Sequence, residues 1–173
     1  MLRTCNRLLV GATIGLVALV SGCASIEGVS ESRLDLVKQR GELLCGVSGK
    51  IPGFSFLSAE GAYTGLDVDI CRAMAAAFVG DAEKVQYRPL TAPERFTALR
   101  SGEIDLLSRN TTWTLSRDAT GGNGLSFGPV VFHDGQGLMV PEESGIASLE
   151  DLSGKAICVG SGKTTEQNLN DAL

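Results

Sequence analysis

The sequence predicts an α/β fold in which a mostly parallel sheet is flanked by helices. Strand-like apolar runs alternate three times with helix-like segments between residues 33 and 108. One of these segments, residues 66–79, repeats its apolar side chains at helical spacing. Glycines at positions 41, 80 and 102 stand where each predicted helix has to stop. Together these patterns favour helices that alternate with buried parallel strands.

Residues 1–22 have the three parts of an export signal. Arg3 and Arg7 form a charged head, residues 8–20 form an apolar middle, and small residues close the segment. The apolar run is shorter than the roughly 20 residues that cross a membrane as a helix, so a permanent transmembrane anchor is the weaker interpretation. The protein is expected in a periplasm or on the outer face of the cytoplasmic membrane.

Cys23 follows the apolar run in the sequence VSGC, which resembles the lipobox of bacterial lipoproteins. In that motif the signal is cut before the cysteine, and the cysteine then carries lipid. We expect Cys23 to be lipidated and residues 23–32 to form a short tether, so that the protein contacts a membrane through its lipid anchor. Ordinary cleavage that leaves Cys23 as a plain thiol is the alternative.

Composition excludes several classes of function. Removal of the signal leaves 13 basic against 20 acidic residues, a net charge near −7, so no nucleic-acid partner is expected.

Cys45, Cys71 and Cys158 are far apart and form no C-x-x-C pair, which argues against a zinc ribbon or thioredoxin-type motif. Cys45 and Cys71 could pair outside the cytoplasm or be buried as small apolar residues. We expect no metal, cofactor or catalytic residue; the lone His133 fits a structural role better.

The first part of the chain begins with a helix that carries its own start signal. Ser32 and Asp35 have capping-box-like spacing, and Gly41 provides a stop. The elements predicted in order are a helix at 33–40, a strand at 43–47, a hairpin or loop at 54–63, a helix at 66–79, a strand at 84–90, a helix between 93 and 102, and a strand at 104–108.

The last part of the chain changes character. Its predicted segments are two apolar runs at 130–132 and 137–140, a helical turn at 148–152, a strand at 156–159 and a helix from Thr165. A single strand and helix cannot bury their apolar faces alone. We therefore expect a first lobe at 33–136 and the truncated start of a second lobe at 137–173.

Ligands of parallel α/β sheets bind at the carboxyl ends of the strands, and a polar run follows the predicted strand at 104–108. This run includes Asn110 and Thr112, and Arg117 follows in the next turn. The planar fork of an arginine, with hydroxyl and backbone donors nearby, suits two-point contact with a carboxylate. The alternative is a plain helix start at Thr114 with Arg117 in solvent. The residues by themselves do not decide between a carboxylate site and a plain helix start.

The turn at residues 160–165, GSGKTT, ends like a Walker A motif. That motif needs a glycine where Ile157 stands, so the loop is too short to hold a phosphate. A nucleotide is therefore not expected as a ligand.

Four segments together resemble the polar amino-acid-binding proteins of bacterial ABC importers, and the general L-amino-acid-binding branch is the most similar. They are GLDVDICRA at 65–73, RFTALRSGEIDLL at 95–107, RNTTWT at 109–114 and DGQG at 134–137. The likeness runs in order from about Leu34 to the last residue. It implies a type II periplasmic-binding-protein-like fold, whose two α/β lobes close on a polar L-amino acid and deliver it to an ABC permease complex in the membrane. The first lobe would be largely present and the second truncated.

The resemblance also implies roles for five side chains. Arg117 matches the arginine that clamps the ligand α-carboxylate, helped by Thr112 and Asn110. Arg95 matches a position that holds the side-chain carboxylate in relatives with acidic ligands, and Thr164 matches a contact from the second lobe.

Two residues depart from the family pattern. Lys163 stands where a threonine is expected, and Ile51 replaces the aromatic lid of the wider family.

The resulting hypothesis is non-catalytic capture of an amino acid. The alternative is an extracytoplasmic enzyme or sensor on the same fold, such as a cyclohydrolase-like relative.

Overall fold

The computed structural model describes residues 31–118 and 124–172. The predicted export signal at 1–22 and the lipidation of Cys23 fall outside these residues. None of the helices in the described ranges is both long and apolar enough to cross a membrane.

The first helix, α1 (Arg33–Arg40), has the predicted bounds because both of its ends are capped by local residues. The Ser32 hydroxyl accepts from the Asp35 amide at 3.2 Å, and the Asp35 carboxylate accepts from the Ser32 amide at 3.3 Å. These two bonds form the capping box. The helix ends at Gly41, whose φ of 74° lies in the left-handed region. Strand β1 (Leu43–Val47) follows, also as predicted.

The segment predicted as a hairpin or loop forms a small antiparallel sheet. Its three strands, in spatial order, are β2 (Lys50–Ile51), β3 (Ser55–Leu57) and β4 (Tyr63–Thr64). Helix α2 (Leu66–Val79) then starts directly against this sheet. At Gly65, with φ of 116°, a Cβ atom would lie 2.4 Å from the carbonyl oxygen of Phe54. Only glycine allows so close an approach at that backbone angle.

The predicted parallel sheet is confirmed, with strands in the order β5–β1–β6. Strand β5 (Val85–Pro89) pairs along the whole of β1. Helix α3 (Arg95–Ser101) precedes β6 (Leu106–Leu107), which pairs with the other side of β1. Strand β6 is shorter than the predicted 104–108, although the amide of Ser108 still donates to the Gly46 carbonyl at 2.9 Å. The three strands therefore end at one edge of the sheet.

The core lies between the central strand β1 and helices α1 and α2. Its fully buried members are Val37, Leu43, Cys45, Val47, Cys71 and Ala75. Cys45 and Cys71 form a disulfide that ties β1 to α2, which decides between the two interpretations of these cysteines. Cys158 is free and exposed. On the opposite side of β1, a Cβ atom at Gly46 would lie 2.6 Å from the Ile104 side chain, so that layer is also tightly packed.

The later part of the chain contains helices but no strand within the described residues. After the short helix α4 (Leu115–Asp118), single 3₁₀ turns form at Glu142–Ser144 and at Glu150–Leu152. Helix α5 (Thr164–Ala172) starts one residue before the predicted position. The predicted strand at 156–159 is wrong for the described part of the chain, because no neighbouring backbone there supplies a hydrogen-bonded ladder.

Candidate ligand-binding cleft

The structure brings all five predicted ligand residues around one cavity of about 1030 Å³, which extends from the carboxyl edge of the parallel sheet back along β6 to Asp105 and Arg33. They reach it from different elements, because the polar run after β6, helix α3 and the start of α5 converge there. The five are Arg95, Asn110, Thr112, Arg117 and Thr164. The strand-end position expected for a ligand site in this sheet is therefore lined by polar side chains.

Arg95 is buried at this edge, with 1% of its surface exposed. Its guanidinium donates to the carbonyl oxygens of Asn110 and Gly162, at 3.3 Å each, while its Nε atom is buried with no hydrogen-bond partner among the described residues. Burial, with added repulsion from Arg109 and Arg117, lowers the pKa of Arg95 to about 10. No acidic side chain in the described ranges forms an ion pair with it.

Arg117 is buried as well, which excludes the alternative that placed it in solvent. It is 8% exposed, and its Nη1 atom donates to the carbonyl oxygen of Thr112 at 2.8 Å. Burial lowers its pKa. Both buried cations lie over the ring of Phe96, whose centroid is 4.7 Å from Cζ of Arg95 and 5.2 Å from Cζ of Arg117. Such cation–π contacts orient both guanidinium groups without neutralising them.

Two hydroxyl groups meet across the cleft. Oγ1 of Thr112, from the run after β6, lies 3.0 Å from Oγ1 of Thr164, at the start of α5. Asn110 has a supporting position, because its side-chain oxygen accepts from Nε and Nη2 of Arg109 at 3.2 Å each. Donors from the two parts of the chain therefore converge on one region.

Sequence reasoning missed Arg109 and Asp67, which both line the cavity. Asp67 is 4% exposed, and burial raises the pKa of its carboxyl despite a hydrogen bond from Ser55. Burial lowers the pKa of Arg109, an effect that the charge of Asp67 partly offsets. Both residues stand in segments that carry the family resemblance, so that likeness was the signal that could have pointed to them.

The two departures from the family pattern, Ile51 and Lys163, also line the cavity. Ile51 is not aromatic, but two other rings reach the same space. Phe54 and Phe132 lie edge to face, with their centroids 5.0 Å apart, and both are lining residues. Aromatic surface is therefore present in the cleft without an aromatic residue at position 51.

In the turn at residues 160–165, one of the backbone donors that a phosphate loop would use is already occupied. The amide of Gly162 donates to the carboxylate of Glu166 at 3.0 Å, so the protein's own anion takes that donor. Metal ligands are not clustered either: within the described ranges, no three His, Cys, Asp or Glu side chains are placed to hold an ion. The chemistry that the cleft does offer is a set of cationic and hydroxyl donors suited to carboxylates.

Comparison with known proteins agrees with this geometry. The model of the bacterial extracellular solute-binding proteins, family 3, matches residues 43–173. The glutamate/glutamine/aspartate/asparagine-binding protein BztA of Rhodobacter capsulatus is 50% identical over 159 residues, which are 92% of this chain and 45% of BztA. The general L-amino acid-binding periplasmic protein AapJ of Rhizobium johnstonii is 49% identical over 166 residues, 96% of this chain and 47% of AapJ.

A solved structure extends the comparison to three dimensions. The ABC transporter periplasmic binding protein of Brucella ovis, with glutathione bound, superposes with a TM-score of 0.75 at 49% identity, over 82% of this chain and 44% of that one. The chain thus spans about half the length of the curated relatives it matches. Because the family model covers most of the sequence, the chain belongs to the bacterial extracellular solute-binding proteins of family 3.

Proposed function

We propose that the cleft serves the reversible, non-catalytic capture of a polar L-amino acid for delivery to an ABC permease complex. The observation that supports this most directly is the pair of buried arginines, Arg95 and Arg117, which both contact the ring of Phe96. Neither has an acidic partner among the described residues. A buried cation without a counter-charge is costly, and a ligand carboxylate would remove that cost.

The charge balance of the cavity favours an amino acid with a second carboxylate. Arg95, Arg109 and Arg117 all line it. Its lining carboxylates are Asp67, Asp105 and Asp134; Asp105 pairs with Arg40, and Asp67 interacts electrostatically with Arg109. One ligand carboxylate on Arg117 with Thr112 and Asn110 would leave Arg95 for a second one. BztA is named for glutamate, glutamine, aspartate and asparagine, which agrees with this assignment.

Capture would be coupled to the approach of the two lobes, which we assign to residues 33–136 and 137–173. Thr112 and Thr164, one from each lobe, already lie within hydrogen-bonding distance. A carboxylate that accepts from both lobes binds the closed arrangement more tightly than the open one. It therefore shifts the equilibrium towards closure by that difference in affinity.

The role of Arg117 can be tested by calorimetry with L-glutamate, L-aspartate and L-glutamine. Arg117→Ala should weaken binding at least about tenfold, because hydrogen bonds to charged groups contribute about 1.5 to 3 kcal/mol. Arg88→Ala is the matched control, since Arg88 is exposed on β5 and does not line the cavity. Equal affinities of wild type and Arg117→Ala would contradict the assignment.

A binding protein releases its ligand unchanged, whereas an enzyme on the same fold would not. Family membership places the chain outside the cytoplasm, and the relatives compared above are named as binding proteins. NMR spectra of isotope-labelled L-glutamate after prolonged incubation with the protein should show the amino acid alone. Any conversion product that needs the intact cleft would support the enzyme alternative.

Glutathione is a second candidate ligand, because the Brucella ovis structure carries it. Glutathione also has two carboxylates, which the cationic cleft can hold. Calorimetry with each compound alone, followed by competition, tests this candidate. If glutathione neither binds nor displaces L-glutamate, the candidate is wrong.

We also propose that Cys23 carries lipid and keeps the protein beside its permease. The VSGC sequence at the end of the apolar run supports this. A mature N-terminus that starts at acylated Cys23 is expected when the protein is expressed in a bacterium and its mass is measured. A mature protein that starts at another residue, or at unmodified Cys23, would contradict the assignment.

A further inference from the structure

A buried hydroxyl and carboxylate, Ser55 and Asp67, lie beside the cleft and have no part in the proposed carboxylate site. Ser55 is fully buried on β3, and Asp67 is 4% exposed in the first turn of α2. The Ser55 hydroxyl donates to Oδ2 of Asp67 at 3.1 Å. The same hydroxyl oxygen accepts from the backbone amides of Ser48 at 3.0 Å and Gly49 at 3.4 Å.

The direction of this chain of hydrogen bonds is fixed by the chemistry of a hydroxyl group. A serine hydroxyl has one proton and two lone pairs. Both lone pairs of Ser55 are directed at the amides of Ser48 and Gly49, so its single proton must go to Asp67. Asp67 is therefore the last acceptor in a chain of hydrogen bonds that starts at the loop after β1.

That loop is part of the cleft edge. Ser48 and Gly49 follow β1 directly at the carboxyl end of the sheet, and Ile51, two residues later, lines the cavity. The start of α2 is locked to the same region, because the amide of Asp67 donates to the Phe54 carbonyl at 2.8 Å. A change in the position of the Asp67 carboxylate would therefore be transmitted to the wall of the cleft.

The carboxylate of Asp67 also acts on the other wall through its charge. Asp67 and Arg109 line the same cavity and interact electrostatically without a direct ion pair. Arg109 donates from Nη1 to the Leu90 carbonyl at 2.5 Å, and from Nε and Nη2 to the side-chain oxygen of Asn110. The negative charge of Asp67 offsets part of the cost of burying the guanidinium that orients Asn110.

We propose that Asp67 is a positioning residue of the cleft, which holds the loop after β1 through Ser55 and holds Arg109 beside Asn110 through its charge. The inference rests on the proposed function only in that it treats this cleft as the ligand site. Asp67 acts on the protein's own donors and does not itself contact the ligand.

The first part of the proposal, that Asp67 holds the loop after β1 through Ser55, is tested without any ligand. In Ser55→Ala, amide hydrogen exchange of Ser48 and Gly49 should accelerate about two- to tenfold, the loss expected for one typical hydrogen bond. Ser58→Ala is the matched control. The Ser58 hydroxyl also accepts from a backbone amide, that of Ala62, but it lies after β3 and outside the chain of hydrogen bonds to Asp67. Ser55→Thr retains the hydroxyl and should restore slow exchange. Equal exchange rates of Ser48 and Gly49 in Ser55→Ala and Ser58→Ala would overturn this part of the proposal.

The second part of the proposal, that the charge of Asp67 holds Arg109 beside Asn110, is tested with Asp67→Asn. This substitution retains an acceptor for Ser55 but removes the charge. Exchange of the Arg109 Nε–H should accelerate, because the guanidinium loses the charge that offsets part of the cost of its burial. This variant also decides the proposal if Ser55→Ala does not fold. An unchanged Arg109 signal, or an equal acceleration at the amides of α1, which would show a general loosening of the chain, would overturn it.

The two proposals can fail separately. Affinity for L-glutamate, measured in the same variants, should fall at least severalfold in Asp67→Asn. If the wild-type chain binds neither L-glutamate nor glutathione, the proposed function fails, but the exchange rates of Ser48, Gly49 and Arg109 still decide the role of Asp67. If the chain binds L-glutamate and Asp67→Asn leaves that affinity unaltered, the positioning role is wrong and the proposed function stands.

Discussion

The hydroxyl oxygens of Thr112 and Thr164 lie 3.0 Å apart, although the two residues are 52 positions apart in the sequence. One hydroxyl comes from the polar run after β6 and the other from the first residue of α5. The pair joins the two parts of the chain at the place where we expect the ligand carboxylate. One proton makes this bond, so the hydroxyl that accepts it can still donate its own proton to a ligand carboxylate.

Thr164→Val should weaken binding of L-glutamate about two- to tenfold. The substitution keeps the shape of the side chain but removes one hydroxyl donor, and a hydrogen bond contributes about 0.5 to 1.5 kcal/mol. Calorimetry on both proteins measures the change. Thr97→Val is the control, since Thr97 is exposed on α3 and does not line the cavity. A loss of affinity in Thr97→Val of the same size would show that the effect is not specific to the cleft.

Arg95→Met should abolish the preference for acidic amino acids and leave the thermal midpoint at pH 8 equal to or above that of wild type. The pKa of Arg95 is lowered to about 10 in the folded chain, so the unfolded chain binds more protons above that pH. The contribution of this group to stability therefore rises as the pH increases from about 10 towards the ordinary pKa of an arginine. At pH 8 the buried charge still costs stability, and an apolar side chain of similar length removes that cost.

Thermal unfolding of both proteins at pH 8, with calorimetry on L-glutamate and L-glutamine, measures the two effects of Arg95→Met. A midpoint well below that of wild type would show that the bonds from Arg95 to Asn110 and Gly162 outweigh the cost of its charge.

Local signals explain which parts of the structure were predictable from sequence. The bounds of α1 follow from Ser32, Asp35 and Gly41, which act within one helical turn, and the prediction of those bounds is confirmed. The resemblance placed Arg95 and Arg117 at a ligand site, and the structure brings both to one cavity. Their roles in binding stay predictions.

Features that depend on distant residues were not predictable in the same way. Ser55 and Asp67 meet only because β3 and the start of α2 are folded together, and Arg109 lines the same cavity as Asp67. The strand predicted at 156–159 was wrong because an apolar run becomes a strand only where another backbone pairs with it. A sequence pattern reports the propensity of a segment and not its partners.

Asp105→Asn should lower the free energy of unfolding by about 2 kcal/mol, because this carboxylate fastens α1 to the sheet. Its side chain is 2% exposed, pairs with Arg40 and lies 3.8 Å from Arg33, and its Oδ2 atom accepts from the Leu44 amide at 2.9 Å. Urea unfolding measures the change as a lower midpoint at an unaltered slope. Glu103→Gln is the control, since Glu103 is exposed in the turn before β6. If both variants unfold at the same urea concentration, Asp105 is not the fastening residue.

Reduction of the Cys45–Cys71 disulfide should destabilise the first lobe more than any of these substitutions. The bridge closes a loop with a sequence separation of 26, and the entropy that such a closure removes from the unfolded chain corresponds to about 3.5 kcal/mol. For a chain of this size the thermal midpoint should fall by roughly 10 °C. Both sulfur atoms are buried in the core beside Val37 and Val47, so the reduced thiols remain packed and the fold is retained.

Thermal unfolding with and without reductant, and of the Cys45→Ala, Cys71→Ala double variant, measures this contribution. Cys158→Ser should respond to reductant as the wild type does, because Cys158 is free and exposed. The loop closed by the bridge contains Ser48, Gly49 and Ser55, so amide exchange at these positions should accelerate on reduction together with the fall in the midpoint. If reductant leaves both the midpoint and the exchange rates unaltered, the bridge does not hold this wall of the cleft.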